Sequence, residues 1–274
     1  MHDRNVLITG GTSGMGKATA HQLAHLGAWL LIVGRNRSKG EAAAAEINAG
    51  CGRQAARFVE ADLSLTREVR RMADLVRDAL DHLDVLIHSA GAFPARRVLT
   101  DEGHEMSFAV QYLARFHLTN ELSSLLETAP HPQVLVVAGG GSGPNRVNLE
   151  DLNSDRGYGL IRAIAKSSSL TNMLTVEQIA RYPGVTFYNY GPGLVRTDVS
   201  MPNALMRLGL NTVGRPFSRS PEQTAGDIVK LLTHDYPGGL YGRSLKQNQP
   251  VGMAADTAAR GRLWEQSERL VRSS

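Results

Sequence analysis

Short, strand-length apolar runs alternate with longer amphipathic segments along the chain. Early in the sequence the runs cover residues 6–8, 28–33 and 84–88, whereas the charged segment 66–81 has the apolar spacing of a helix. Strands that alternate regularly with helices predict a parallel sheet covered by helices on both faces. The hydrophobic pattern therefore assigns the chain to the α/β class.

The same pattern predicts the remaining elements. Further strands are expected at residues 57–60, 133–138 and 240–245, with one more just before Pro192. Further helices are expected at residues 17–24, 41–49, 102–127, 158–181 and 256–271, and another runs to residue 232 after the cap Ser220-Pro221. These runs give about seven strands, and no repeat or low-complexity linker divides them. We therefore expect one domain over residues 1–274.

Composition and charge exclude several classes of protein. No apolar run reaches twenty residues, and residues 1–4 lead directly into the first strand, so neither a membrane span nor a signal peptide is expected. The single cysteine, Cys51, suits a reducing compartment and indicates a cytoplasmic protein. The net charge is +4, but the basic residues are scattered among few aromatics, so nucleic acid is not an expected partner. No cluster of metal-ligand residues is apparent, and no metal is predicted.

A glycine-rich turn follows the first strand. Residues 9–16 read TGGTSGMG, a TGxxxGxG pattern between that strand and the first helix. Glycines allow backbone N–H groups to approach phosphate oxygens, and the helix N-terminus adds a partial positive charge. The turn therefore predicts a site for the diphosphate of a dinucleotide. Its candidate residues are Gly10, Thr12, Ser13, Gly14, Met15 and Gly16.

The end of the second strand predicts which dinucleotide binds. An acidic residue at this point binds the ribose hydroxyls of NAD(H), whereas arginine suits the 2′-phosphate of NADP(H). The chain has Arg35, Asn36 and Arg37 there, and no acid. We therefore expect NADP(H) to be preferred over NAD(H), and the alternative is that both arginines are ordinary loop residues.

Together these motifs resemble the short-chain dehydrogenase/reductase superfamily, from about residue 5 to about residue 270. The TGxxxGxG turn, Asp62-Leu63, Ala90-Gly91 and residues 192–197 (PGLVRT) match its motifs, and residues 34–41 (GRNRSKGE) are similar to its retinol-dehydrogenase-like branch. The resemblance implies a Rossmann-type, doubly wound parallel sheet. It also implies these cofactor contacts: Asp62 and Leu63 at the adenine, Ser89, Ala90 and Gly91 along the groove, and Pro192, Gly193, Val195 and Thr197 at the nicotinamide end.

The acid–base residues of that superfamily are altered in this chain. Its members normally use a Tyr as proton donor, a Lys four residues later that lowers the Tyr pKa, a Ser that orients the carbonyl, and a supporting Asn. By resemblance the Asn, Ser, Tyr and Lys positions hold Gln111, Gly139, Ala165 and Ser169. A register shifted by one residue gives Ile164 and Ser168 for the last two, and no YxxxK occurs in the chain.

Tyr158, Ser142 and Gln111 are the candidate catalytic residues that remain. Positions 158, 162, 165 and 169 share one helical face if their helix begins early, which would bring Tyr158 and Arg162 to the cleft. Ser142 follows three glycines, and its hydroxyl could move into the position of the family's Ser, although a flexible loop positions a catalytic hydroxyl poorly. The alternatives are a structural Tyr158, with Tyr190 or water as the proton donor.

The resemblance also indicates a substrate class and a partner. It places the lid over the substrate at about residues 198–219. The methionines and leucines of this segment favour a small apolar substrate, and the alternative is that they pack on the domain. It further implies a homodimer through the helices 102–127 and 158–181.

Three functions follow from the sequence. The lineage favours an atypical NADP(H)-dependent oxidoreductase that acts on a small carbonyl or alcohol without the Tyr/Lys pair. The altered residues leave two alternatives open, a non-redox cyclase, lyase or isomerase and a non-catalytic NADP(H)-binding sensor or partner subunit.

Overall fold

A central sheet forms the middle layer of the protein. The strands of the computed structural model are β1 (Asn5–Thr9), β2 (Trp29–Gly34), β3 (Ala56–Glu60), β4 (Val85–His88), β5 (Gln133–Val137), β6 (Thr186–Tyr190), β7 (Gly239–Tyr241) and β8 (Gln247–Asn248). The structure describes residues 1–196 and 218–272. Within these ranges the strands lie in the order β3-β2-β1-β4-β5-β6-β7-β8, and all pair parallel except β7 with β8.

Helices cover both faces of this sheet. In chain order they are α1 (Gly14–His25), α2 (Arg37–Cys51), α3 (Thr66–Ala79), α4 (Met106–Phe108), α5 (Ala114–Glu121), α6 (Ser123–Glu127), α7 (Leu160–Arg181), α8 (Pro221–Thr233) and α9 (Thr257–Arg272). A π-helical turn (Ala109–Leu113) joins α4 to α5. None of the helices in the described ranges is long and apolar enough to cross a membrane.

Strand side chains alternate between two apolar layers. Ile8 and Ile32 face the layer that contains residues of α1, α2 and α8, whereas Leu7 faces the layer that contains residues of α3 and α5. Because both faces are buried, these strands are continuous apolar runs in the sequence. A third cluster joins α5, α7 and α9, where the rings of Phe116 and Trp264 meet edge to face with centroids 4.8 Å apart.

The strand order reverses at β1. This strand pairs with β2 on one side and with β4 on the other. The chain runs outward from β1 to β3, returns to β4, and then builds the opposite half of the sheet. α1 and α3 accordingly pack on opposite faces. Ligands of open α/β sheets bind in the crevice that such a reversal leaves at the carboxyl ends of the strands.

The predicted fold class is confirmed, but the expected strand count was too low. The described residues form eight strands rather than about seven, because the chain turns back after Tyr241 and adds β8. The turn also shortens the last predicted strand, 240–245, since Leu245 has φ +56° and its N–H donates to the Gly242 carbonyl. Of the predicted lid, residues 198–217 lie outside the described ranges.

Two helix predictions need correction. The helix expected at 102–127 begins at Met106, where the Glu105 carboxylate accepts two backbone N–H groups, and it is interrupted at Leu122. The helix expected from residue 158 begins at Leu160, because Gly159 has the extended backbone of an N-cap. Tyr158 therefore does not lie on the helical face that the sequence suggested.

The start of α8 has the capping box that Ser220 and Pro221 predicted. The Ser220 hydroxyl accepts the Gln223 N–H at 3.2 Å, and the Gln223 side chain accepts the Ser220 N–H at 3.0 Å. We expect Ser220→Ala to lower the free energy of unfolding by about 1 kcal/mol, because it removes an N-cap acceptor. Urea denaturation measures the change. Ser220→Asp, which keeps the acceptor, should stay close to the unsubstituted protein, and equal losses in both variants would contradict the capping role.

Candidate active site

The glycine turn brings the ends of β1 and β4 into close contact. Gly10 has φ +71°, and a Cβ at this position would lie 2.7 Å from the backbone of Ala90. A Cβ at Gly16 would lie 2.3 Å from the Gly10 carbonyl oxygen. A side chain at position 10 would force the two strand ends apart, and one at position 16 would displace the turn from α1, so the turn can take this shape only with glycine at both positions.

The N-terminus of α1 is open at this turn. Ser13 has the extended backbone of an N-cap, but its side chain makes no capping hydrogen bond, and the first turn contains no acidic residue. The leading N–H groups of the helix, around Gly14, Met15 and Gly16, are therefore not satisfied by a cap. Such N–H groups, together with the helix dipole, favour an anion.

The loop after β2 contains two arginines in different environments. The Arg37 Nε donates to Glu60 at 2.9 Å, so this guanidinium is already paired. Arg35 is exposed and has no ion-pair partner in the described ranges. The Asn36 side chain caps α2 by accepting the Lys39 N–H. Of the two arginines, Arg35 is therefore the one whose charge is not already paired within the described ranges.

Polar groups lie at the ends of the next two strands. One Asp62 carboxylate oxygen accepts the Ser64 N–H at 2.9 Å, which fixes the side chain just after β3. After β4, the Ser89 N–H donates to the Thr9 carbonyl, and this bond continues the pairing of β1 with β4 to the rim of the crevice. Leu63 is buried, whereas Gly91 is exposed. The predicted adenine and groove residues thus share one edge of the sheet.

The segment after β6 reaches the same edge. Pro192 is buried, Gly193 has φ +73°, and Val195 forms a parallel bridge with Arg219. The residues predicted for the nicotinamide end thus lie at the strand edge that also holds the glycine turn. Thr197, the last residue predicted there, lies outside the described ranges.

Gln111 is held by a buried arginine that the sequence did not single out. The Arg115 Nη2 donates to the Gln111 side-chain oxygen at 2.6 Å and to the carbonyls of Ala90 and Val137 at 3.2 Å. Burial lowers the Arg115 pKa to about 9, and with the nearby Arg115 charge it lowers the His88 pKa to about 3. The available signal was the four-residue spacing of Gln111 and Arg115 on an otherwise apolar helix.

Gly139 lies against the helix that would supply the acid–base pair. A Cβ at position 139 would be 2.7 Å from the Cβ of Ser168 and 3.0 Å from the Ser142 carbonyl oxygen. The helix thus presents Ser168 directly to this position. The Ser169 hydroxyl donates instead to the Pro144 carbonyl at 2.7 Å, and Ala165 offers no side-chain proton. The polar side chains of α7 near this end of β5 are occupied by local hydrogen bonds.

The loop that contains Ser142 is not loose, contrary to the sequence-based expectation. The Asn172 and Asn189 side chains accept the N–H groups of Gly141 and Gly140 at 3.1 and 2.9 Å. The Ser142 hydroxyl donates back to the Gly139 carbonyl at 2.6 Å. Its proton is therefore engaged within its own turn.

Tyr158 contacts the loop after β4. Its phenol donates to the Pro94 carbonyl, and burial raises the Tyr158 pKa above its usual value. Tyr190, the other alternative, is fully buried and donates to Asp227 at 2.6 Å, while Arg219 also pairs with that carboxylate. Neither phenol is primed by a neighbouring lysine as the superfamily's tyrosine is.

Known proteins with the same architecture share this arrangement of elements. A family model described as short chain dehydrogenase matches residues 4–146. Retinol dehydrogenase 14 of Mus musculus is 33% identical over 99% of this chain and 86% of its own length. An uncharacterized protein from Mycobacterium paratuberculosis has a TM-score of 0.76 and 29% identity, over 99% of this chain and 94% of that chain.

A short chain dehydrogenase from Shigella flexneri, whose crystal structure is a complex with NADP, has a TM-score of 0.67. At 21% identity over 86% of this chain and 93% of that chain, it shows the shared fold. The sheet order, the glycine turn, the family model and the full-length relatives agree. This chain belongs to the short-chain dehydrogenase family and to its retinol-dehydrogenase-like branch.

Proposed function

We propose that this protein binds NADP(H) across the crevice at β1 and β4 and transfers hydride to or from a small apolar carbonyl or alcohol. The observation that carries the proposal is the uncapped N-terminus of α1, which lies behind a glycine turn at the reversal of strand order. The turn excludes side chains from the space beside the leading N–H groups. Unsatisfied N–H groups at a helix N-terminus favour the negative charge of a diphosphate.

The other contacts of the cofactor follow from the strand ends. Arg35 would hold the 2′-phosphate, and Asp62 would contact the adenine. Ala90 and Gly91 would line the groove, and the segment from Pro192 to Val195 would hold the nicotinamide end. The NADP complex of the Shigella flexneri relative supports this cofactor. When bound, NADPH supplies the hydride.

In this protein the proton would come from a weaker acid than the lysine-assisted tyrosine of the rest of the family. The Ser142 hydroxyl and the Tyr158 phenol already donate to backbone carbonyls, and the raised Tyr158 pKa makes that phenol a poorer acid. Loss of general acid catalysis lowers a rate by about 10²–10⁴-fold. We infer slow turnover, with Tyr158 or solvent as the source of the proton. An apolar substrate is supported by the name of the mouse relative, since retinol is an apolar alcohol.

Binding without turnover is the second candidate function. It is favoured by Ser142 and Ser169, whose hydroxyls at the altered catalytic positions are consumed by local hydrogen bonds. A protein of this kind would use the bound dinucleotide to signal or to assemble with a partner.

The proposed contact between Arg35 and the 2′-phosphate can be measured through NADPH affinity. We expect Arg35→Ala to weaken NADPH binding by about ten- to a hundredfold, because a charge-assisted hydrogen bond to phosphate contributes about 1.5–3 kcal/mol. NADH binding should change little. Nicotinamide fluorescence titration measures both affinities. Arg57→Ala is the matched control, since Arg57 is exposed on β3 three residues before its end. Equal weakening of NADPH and NADH, or equal effects of both substitutions, would contradict the role of Arg35.

A second prediction separates the two candidate functions. We expect NADPH deuterated at the transferred position to deliver deuterium to an apolar ketone under single-turnover conditions, slowly because no Tyr/Lys pair assists. Mass spectrometry of the alcohol product measures the transfer. Bound NADPH that stays intact against a panel of such ketones would favour binding without turnover.

The same assay examines Tyr158. Tyr158→Phe should slow the transfer about tenfold or more if this phenol is the donor. Tyr236→Phe is the control, because Tyr236 precedes β7 at the opposite edge of the sheet. An unchanged rate in Tyr158→Phe would assign the proton to solvent.

A further inference from the structure

Arg115 fixes which way the Gln111 amide points. A guanidinium has only N–H donors, so the Gln111 atom 2.6 Å from Arg115 Nη2 must be the amide oxygen. The amide NH₂ group then occupies the other side of the side chain. The orientation of a glutamine is often ambiguous, but in this case the chemistry of its neighbour decides it.

The Gln111 NH₂ group faces Gly91. A Cβ at position 91 would lie 2.9 Å from Gln111 Nε2, so glycine leaves the space into which the amide extends. No described residue accepts a hydrogen bond from Nε2. The atom is also not fully enclosed by the protein. Two N–H donors are therefore free beside the exposed backbone of Gly91.

The guanidinium that orients this amide is buried and forms its hydrogen bonds through one nitrogen, Nη2, whereas its Nε and Nη1 atoms have no partner among the described residues. Arg115 is 3% exposed, and its Nη2 also donates to the Ala90 and Val137 carbonyls at the ends of β4 and β5. No carboxylate in the described ranges lies within ion-pair distance of it. Its charge therefore acts on the Gln111 amide rather than on an acid. Polarisation by a buried cation makes the amide N–H groups stronger donors.

The sheet order indicates which half of a dinucleotide passes Gly91. Arg35 and Asp62 follow β2 and β3, on one side of β1, whereas Gly91 follows β4 on the other side. A dinucleotide that crosses the reversal places its adenosine half over β2 and β3. Its nicotinamide half then lies over β4, where the Gln111 amide is directed.

We propose that Gln111 donates a hydrogen bond to an oxygen on the nicotinamide half of the bound dinucleotide, and that Arg115 is the positioning residue that holds the amide in this orientation. The inference rests on the proposed NADP(H) binding and deepens it. In this role the glutamine is a fixed donor, because its own acceptor oxygen is consumed by Arg115.

The test uses Gln111→Glu. The substitution keeps the size of the side chain and the acceptor for Arg115, but it places a carboxylate oxygen where the NH₂ group was. We expect the Kd for NADPH to rise about tenfold or more, since one hydrogen bond is replaced by oxygen–oxygen repulsion. The adenosine-half fragment adenosine 2′,5′-bisphosphate, which lacks the nicotinamide-side ribose, should bind with unchanged affinity. Calorimetric titration measures both values without any turnover.

Arg115 is tested through its coupling to Gln111. We expect Arg115→Met alone to weaken NADPH binding, because the amide is then free to turn. In a Gln111→Met background the same substitution should have no further effect, because there is no amide left to orient. Because Arg115→Met also removes the donor to the Ala90 and Val137 carbonyls, thermal denaturation of the single and double variants checks that the fold is kept.

Several outcomes would overturn the inference. An unchanged Kd for NADPH in Gln111→Glu would do so, and so would equal weakening of NADPH and the fragment, which indicates a general disturbance. An unchanged Kd with a reduced kcat/KM would assign the acceptor to the substrate carbonyl instead. Failure of the unsubstituted protein to bind NADPH would overturn the proposed function itself, and this inference with it.

Discussion

The pairing of β1 with strands on both sides is the constraint on which the rest of the structure depends. Because β1 bonds to β2 and to β4, the chain must leave it in one direction and return in the other. This reversal sends successive helices to opposite faces and opens the crevice at the strand ends. Gly10 then allows the turn after β1 to close against the end of β4, and Gly16 allows α1 to begin directly against that turn. The position of every candidate site residue follows from that one arrangement.

The two halves of the proposed site differ in whether their polar groups already bond to other groups of the protein. On the adenosine side the groups that face a ligand are free, since α1 is uncapped and Arg35 is unpaired within the described ranges. On the nicotinamide side the hydroxyls of Ser142 and Ser169 donate to backbone carbonyls, and the loop after β5 is anchored by Asn172. The contacts proposed for the adenosine half are thus free, while the hydroxyls near the altered acid–base positions are engaged in internal hydrogen bonds.

Local patterns were sufficient for β1 to β6, the glycine turn and the cap at Ser220, because each depends on residues close together in the sequence. They did not reveal that the chain turns back after Tyr241 and adds β8. They were insufficient for Tyr158, where an extended Gly159 delays the helix by two residues. They were also insufficient for Ser142, since the asparagines that hold its loop come from α7 and β6. Arg115 was missed for the same reason. Its three acceptors lie at the ends of two strands and on a neighbouring helical turn, and only the folded chain brings them together.

The packing at Gly139 bears on how such a protein changes over evolutionary time. A serine at this position would bring its Cβ within 2.7 Å of the Ser168 Cβ, so Gly139→Ser requires a compensating change on α7. The effect of Gly139→Ser would therefore depend on which residue stands at position 168, and this dependence is epistasis with a steric origin. Such a contact constrains later change: while the neighbouring helix fills this space, a side chain at position 139 requires a second substitution on α7.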